Sequence, residues 1–427
     1  MNKVQQFWQK IVNSPDLRKK ALFTLLIFTI ARFLAEVPLP EIDTARLQMI
    51  FANSEFLSFL NIIAGGTLSS FSIVAVGISP YITASIVIQL LTMIWPKLKE
   101  MQKDGEKGRA QLNQYTRLLS LPVAILQSFS IIAILRSQDL LLNNSAGAIM
   151  TIIFFLTVGS FIMLWLGELI TAKGLGNGIS MIMILGILSQ LPTTFAQSAQ
   201  LAQTGEWFLL LAIVAGIVAT VAVVVYINQA TRKIPIQYAT RMQGNRKVGG
   251  QTTFFPLKLN SVGVMPIIFA VTLMTIPSFL GQILANVSND WWRSFGENLQ
   301  VIFSQTNPIY IVLYFLIVFG LSYFSALLFF NARDVSEELK KSGAFVPGVR
   351  PGQQTQAFLE KVIKRLTFVD GLFLGVIAIL PFILQIITGM SSLAIGGTSL
   401  LILVSVILEV NKIVEGSATS QDYDQYL

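Results

Sequence analysis

The sequence contains neither cysteine nor histidine, and those two absences remove several kinds of chemistry at once. A disulfide framework, a zinc site of the usual Cys/His type, a catalytic thiol and a Ser-His pair are all excluded. No G-x-x-x-x-G-K-[ST] phosphate loop occurs either, so any energised work would draw on a partner or a gradient. Charge is scarce as well. Asp, Glu, Lys and Arg make up 12% of the 427 residues, about half the share of a soluble domain, whose surface must be hydrated.

What is abundant is apolar side chain, 53% of the chain. It gathers into segments at about 21–36, 73–95, 114–135, 148–170, 178–193, 206–227, 262–284, 308–330, 366–388 and 394–411. Runs of about 20 residues match the roughly 30 Å hydrocarbon core of a bilayer at about 1.5 Å rise per residue. The pattern predicts an all-α, polytopic membrane protein of about ten transmembrane helices, with both termini on the same side.

The basic residues say which side. Of 30 Lys and Arg, 25 fall in the N-terminal stretch, in alternate loops and in the tail, whereas only Arg46 and Arg293 fall in the opposite loops. This places both termini in the cytoplasm. The first apolar run follows a basic stretch, yet Arg32, Glu36 and Pro38 stand where a signal peptide needs small residues. It reads as a retained first helix. Two cytoplasmic loops, 228–261 and 331–365, are longer and more basic than orientation requires. They suit either anionic lipid heads or an acidic or polyanionic partner.

Ion-coupled transporters keep titratable side chains at mid-membrane to hold the coupling ion. Here the acids in or near spans are Glu36, Glu168, Asp370 and Glu409. All lie toward span ends, where structural contacts are expected. The interior is aliphatic and is punctuated by backbone breaks. Gly77 and Pro80 predict the end of one piece and the start of a helix carrying Ile82 and Ile86 on one face. The apolar piece 62–76 is too short to cross by itself and reads either as part of a kinked helix packed against lipid or as a re-entrant half-helix, which needs protein or an aqueous cavity around it. The cluster Gly174-Leu175-Gly176-Asn177-Gly178 predicts a tight helix hairpin, and Pro266 and Gly396-Gly397 mark further points of bending or close approach.

These strings together resemble the SecY/Sec61-alpha family of protein-conducting channels. The match runs nearly end to end: VPLPEID (37–43), GGTLS (65–69), GISPYITASI (77–86), QLLT (89–92), GEKGR (105–109), QYTR (114–117), WLGE (165–168), GLGNGIS (174–180), PLK (256–258), KSGAFVPGVRPG (341–352) and GGTSLLI (396–402). So many strings in one order identify the chain as a member.

The resemblance implies two inverted pseudo-symmetric halves, 1–193 and 206–427, hinged by 194–205. It implies a pore ring of Ile82, Ile86, Ile179, Met183, Ile268 and Ile402, with Met183 departing from the usual branched aliphatic. A plug over about 62–76 would include Ile62, Ala64, Gly65, Gly66, Leu68, Ser69 and Phe71. A lateral gate between span two and spans seven and eight would carry Thr83, Gln89, Thr272 and Ile276, and release signal sequences and nascent helices into lipid. Arg241, Arg246, Lys247 and Arg350 would dock the ribosome or the SecA motor ATPase. Implied partners are the small membrane subunits SecE and SecG, unfolded or nascent polypeptide, and lipid. The implied setting is the bacterial plasma membrane, with no cofactor, metal or enzymatic step. The rival readings are a small-solute secondary transporter, which would need mid-membrane ligands, and an intramembrane hydrolase, which would need a central Ser-Lys or Asp-Asp pair.

Overall fold

The structure, a computed structural model, describes residues 14–39, 67, 70–137, 141, 143, 145–203, 207–238, 241–243, 246–248, 252–260, 263, 265–285, 289–304, 307–388, 402–414 and 416. All ten apolar segments carry a helix. In chain order the helices are α1 (Pro15–Ala35), α2 (Ser79–Ile94), α3 (Pro96–Lys103), α4 (Gly105–Ser137), α5 (Ala146–Lys173) and α6 (Gly178–Gln203). Then come α7 (Trp207–Gln229), α8 (Met265–Ala285), α9 (Asp290–Ile302), α10 (Pro308–Phe329), α11 (Ala332–Lys341), α12 (Gln353–Thr388) and α13 at 402–414. Among the described residues three helices are by themselves long and apolar enough to cross a membrane, and α2 and α3, bent by 107° at their break, are so only when taken together, as a broken span or a re-entrant loop.

The chain divides into two compact units. One comprises Met1–Leu211, Thr275–Asn307 and Val406–Leu427, the other Ala212–Met274 and Pro308–Ser405.

In the first unit α1 shows how a span is built. Pro15 occupies the first turn, where its missing N–H costs nothing, and Asp16 complements the helix dipole. Leu17, Thr24, Ile27, Ala31 and Ala35 form a buried stripe at helical spacing. Leu22, Leu25, Leu26, Ile30 and Phe33 are exposed, the surface a helix turns to lipid. In α5 the small residues Gly159 and Ser160 are buried, and a Cβ at Gly159 would come 2.0 Å from the Ile73 carbonyl oxygen. The glycine therefore lets the segment 70–78 cross the helix.

Of the piece 62–76, residues 62–66, 68 and 69 lie outside the described residues, and residues 70–78 form successive turns with a bridge at Ser72. Backbone pairing with the stretch after α1 holds them, through Leu39 N–H to the Phe71 carbonyl (3.0 Å) and Ile73 N–H to the Val37 carbonyl (3.1 Å). The acids near span ends are resolved case by case. Glu168 pairs with Arg117 of α4 at 2.6 Å, and Glu36 with Arg32 at 2.5 Å. Asp370 departs from expectation. It is 2% exposed, and its Oδ1 has no hydrogen-bond partner among the described residues.

Two further expectations are corrected. The basic stretch 97–109, expected as a loop, is helical in α3 and the start of α4, because Lys, Glu, Gln and Met are good helix formers whatever their polarity. Pro266 opens α8, and the interior proline of that helix is Pro277. In the connection 194–205, residues 194–203 are helical and continue α6.

In the second unit the two long basic loops form one piece. Strand β1 (Thr231–Tyr238) pairs antiparallel with β4 (Thr252–Lys258) and with β5 (Ala344–Phe345), in the order β4-β1-β5. The short ladder of β2 (Arg241–Gln243) and β3 (Arg246–Val248) stands between β1 and β4 in the chain. Ile234 and Leu257 of the sheet are buried with Ala332 of α11, Val346 and Leu359 of α12. Asn228, at the end of α7, donates to Ser405 of α13 (3.3 Å) and accepts from Asn260 (2.9 Å), whose Oδ1 takes the Gly263 N–H (2.6 Å).

Candidate functional site

The start of α2 is set by local chemistry. Gly77 adopts φ +58°, where an L side chain is strained, and Pro80 then lies in the first turn of the helix. This places Ile82 in a cavity of about 40 Å³ within the first unit, facing Met183 of α6, with Ala31 and Arg32 of α1, Thr67 and Gly77 around it. Ile86, one turn on, is 4% exposed and packed away. Ile179 opens α6 and is partly exposed.

Met183 and Ile179 are positioned by the α5–α6 hairpin. Asn177 Oδ1 accepts the Ile179 N–H (3.1 Å), capping α6, and the Gly178 N–H donates to Thr171 Oγ1 (2.9 Å). The Leu175 N–H donates to Thr24 Oγ1 of α1 (3.1 Å). The glycine cluster is thus a hairpin tied to a third helix. Ile268 of α8 and Ile402 of α13 are partly exposed members of the second unit.

Of the residues expected to form a plug, Ile62, Ala64, Gly65, Gly66, Leu68 and Ser69 lie outside the described residues. Phe71 is 1% exposed and packs with Leu39, Val76, Ile132, Leu135 and Leu156. Its φ of +41° is an uncommon conformation for a bulky side chain, and burial holds it there.

At the candidate gate, the Thr83 hydroxyl donates to the Ser79 carbonyl (3.0 Å) and accepts from Gln127 Nε2 of α4 (3.4 Å). Gln89 donates to Ser85 (3.4 Å), and Thr272 donates to the Ile268 carbonyl (2.9 Å). Val87, one turn beyond Thr83, is exposed, as is Ile276. Sequence reasoning missed both the Thr83–Gln127 contact and the exposure of Val87. Neither leaves a local signal, since each depends on which helix lies beside α2.

The candidate docking residues fall on the second unit. Arg241 stands opposite Val248, Lys247 opposite Met242 and Arg246 opposite Gln243. Arg350 is exposed on a loop whose ends are fixed. Val349 N–H donates to the Val346 carbonyl (3.1 Å), and the Arg350 carbonyl accepts from Thr355 Oγ1 (2.9 Å). Residues of two loops separated by a hundred positions are joined here by the register Gln237↔Phe345 and Tyr238↔Ala344, which no local pattern announces. No group of His, Cys, Asp and Glu able to hold a metal ion occurs among the described residues.

Comparison with known proteins adds independent weight. A family model described as SecY matches residues 72–411. The protein translocase subunit SecY of Streptomyces galbus is 38% identical over 430 residues, covering 97% of this chain and 98% of that protein. The corresponding subunit of Halalkalibacterium halodurans is 38% identical, covering 96% and 97%. Among solved structures, a protein-conducting channel aligns with TM-score 0.66 at 17% identity, covering 93% of this chain and 91% of the other. Sec61 in the canine ribosome-channel complex from the endoplasmic reticulum aligns at 0.63 and 16% with the same coverage. At such identities the structural likeness speaks to fold.

Proposed function

The chain belongs to the SecY family, and from that premise we propose that it is the central subunit of a protein-conducting channel that passes unfolded polypeptides through an aliphatic waist. The observation that carries the reading is a relationship spanning 97% of the chain to a protein translocase subunit. The cavity at Ile82 and Met183, mostly apolar but with Arg32, Thr67, Ser79 and Ser189 also in its lining, supports it. A ring of Ile82, Ile86, Ile179, Met183, Ile268 and Ile402 offers an ion no ligand and tends to dewet, yet its side chains can move aside for any polypeptide. The flexible thioether of Met183 softens that seal.

On this reading the segment 62–76 is the plug, the halves 1–193 and 206–427 separate about the 194–205 connection, and α2 and α8 form a lateral gate into lipid. The small subunits SecE and SecG accompany the channel in a bacterial plasma membrane, with both termini cytoplasmic. Arg241, Arg246, Lys247 and Arg350 engage the ribosome or the SecA motor.

The deciding experiment reconstitutes the chain with its small subunits in vesicles, adds motor ATPase, ATP and a precursor, and measures precursor protected from external protease. Protection that depends on this chain is expected. No protection above vesicles lacking the chain would overturn the channel reading. Ile402→Asn adds a polar group to the constriction. It is expected to allow several-fold more export of precursors with damaged signal sequences, because the dry seal is weakened. Unchanged retention of those precursors would remove Ile402 from the ring. Arg350→Glu is expected to lower motor-driven export on the order of tenfold without altering the amount of folded protein, since an exposed charge acts on partner encounter. Normal export would take Arg350 off the docking surface.

A further inference from the structure

The cytoplasmic end of α12 carries an open groove of about 620 Å³ lined by Lys361, Lys364, Arg365, Phe368, Val369 and Tyr323 together with Ala357 and Glu360. Lys361, Lys364 and Arg365 are exposed, and among the described residues none of them forms an ion pair. Three cations outnumber the single acid, Glu360, which accepts a hydrogen bond from Gln356 Nε2 (2.9 Å), so the lining carries a net positive charge. The wall joins two helices: Tyr323 of α10 makes a long contact to the Lys364 carbonyl (3.5 Å), and Phe319 packs edge-on against Phe368 at 5.7 Å. Directly beyond the cations, Phe368, Leu372 and Val376 are about half exposed on α12, at 51%, 46% and 45%. Their spacing of four residues continues the stripe begun by Lys361 and Arg365.

Three cations at the cytoplasmic boundary followed by an apolar stripe at membrane depth have the charge and polarity order of one molecule, an anionic phospholipid. We propose that this groove binds an anionic phospholipid of the cytoplasmic leaflet, its phosphate held by Lys361, Lys364 and Arg365 and an acyl chain lying along Phe368, Leu372 and Val376. The proposal rests on the membrane orientation given above but not on channel activity. It divides the basic residues of 331–365 into a partner-facing position, Arg350, and a lipid-facing group.

The test uses the intact complex with its small subunits in mild detergent. Native mass spectrometry follows retained phosphatidylglycerol or, in parallel, phosphatidylcholine. For the combined Lys361→Gln, Lys364→Gln and Arg365→Gln variant, the apparent affinity for phosphatidylglycerol is expected to fall on the order of a hundredfold. The charge-preserving Lys361→Arg, Lys364→Arg and Arg365→Lys variant retains it, and phosphatidylcholine stays weakly bound throughout. Excess inorganic phosphate should leave the lipid in place, because the acyl contact persists. Equal retention of phosphatidylglycerol by the Gln variant overturns the proposal. So does displacement by inorganic phosphate alone, which would mark a free-anion site. If the Gln variant keeps its lipid but loses motor-driven export, the patch is a protein-docking surface and the lipid assignment fails while the channel reading stands.

Discussion

Cysteines at Val87 and Ile276 are expected to form a disulfide that stops export completely, with reduction restoring it. The chain has no cysteine of its own, so the pair is the only one able to form. Thr83 is the poorer position on α2, since its hydroxyl is taken by Gln127 of α4. Val87 lies one turn further along and is 37% exposed, and Ile276 on α8 is 47% exposed. If α2 and α8 face one another in a closed gate, cysteines at these positions come within about 4.4–6.8 Å between Cα atoms. Thr272, one turn back on α8, provides the second pairing. Opening by separation of helix bundles would then be blocked by a covalent tie. A flexible crosslinker in place of the disulfide should return part of the activity. Efficient disulfide formation with undiminished export would falsify sideways opening between these helices. Failure of both pairs to form under oxidation would place the gate elsewhere than between Val87 and Thr272 or Ile276.

Gly178→Ala should be nearly as severe, and for a reason internal to the fold. A Cβ at Gly178 would stand 1.7 Å from the Gly167 carbonyl oxygen and 2.8 Å from the Ile170 Cβ. The obstacle is the backbone of α5, so no rotamer change relieves it. Either the hairpin opens, losing the Gly178–Thr171 hydrogen bond, or α6 shifts and carries Ile179 and Met183 with it. The cost expected is about 3 kcal/mol or more. Against a total stability of about 5–15 kcal/mol, that should reduce accumulated protein sharply and lower its unfolding temperature in detergent. Gly147→Ala, in α5 and with nothing within 4 Å of its added Cβ, is the control and should behave as wild type. Wild-type accumulation and unfolding of Gly178→Ala would show that the close approach is not required.

The contrast between these two glycines marks how far the sequence can be read. Both stand in the first turn of a helix, Gly147 in α5 and Gly178 in α6, yet only the packing of α6 against α5 makes one of them irreplaceable. The hairpin itself was legible from Gly174–Gly178, as was the new helix after Gly77 and Pro80, because Gly and Pro act on the backbone at their own positions. The turns at 70–78 were not, since their hydrogen bonds run to Val37 and Leu39, more than thirty residues earlier.

The amino-acid sequence by itself determined the class, the ten helical segments and the family, and it implied the side on which the termini lie. A bilayer demands about 20 apolar residues per crossing and an asymmetry of Lys and Arg, and both demands are satisfied locally, residue by residue. Tertiary structure alone decided that β1 and β5 join two loops into one sheet, that Ile82 meets a cavity while Ile86 is packed away, and that Asp370 is buried. It also decided that Lys361, Lys364 and Arg365 share a groove with Phe368. Each of these depends on which distant segment packs beside a residue. That choice minimises the free energy of the whole chain, so no window of sequence contains it.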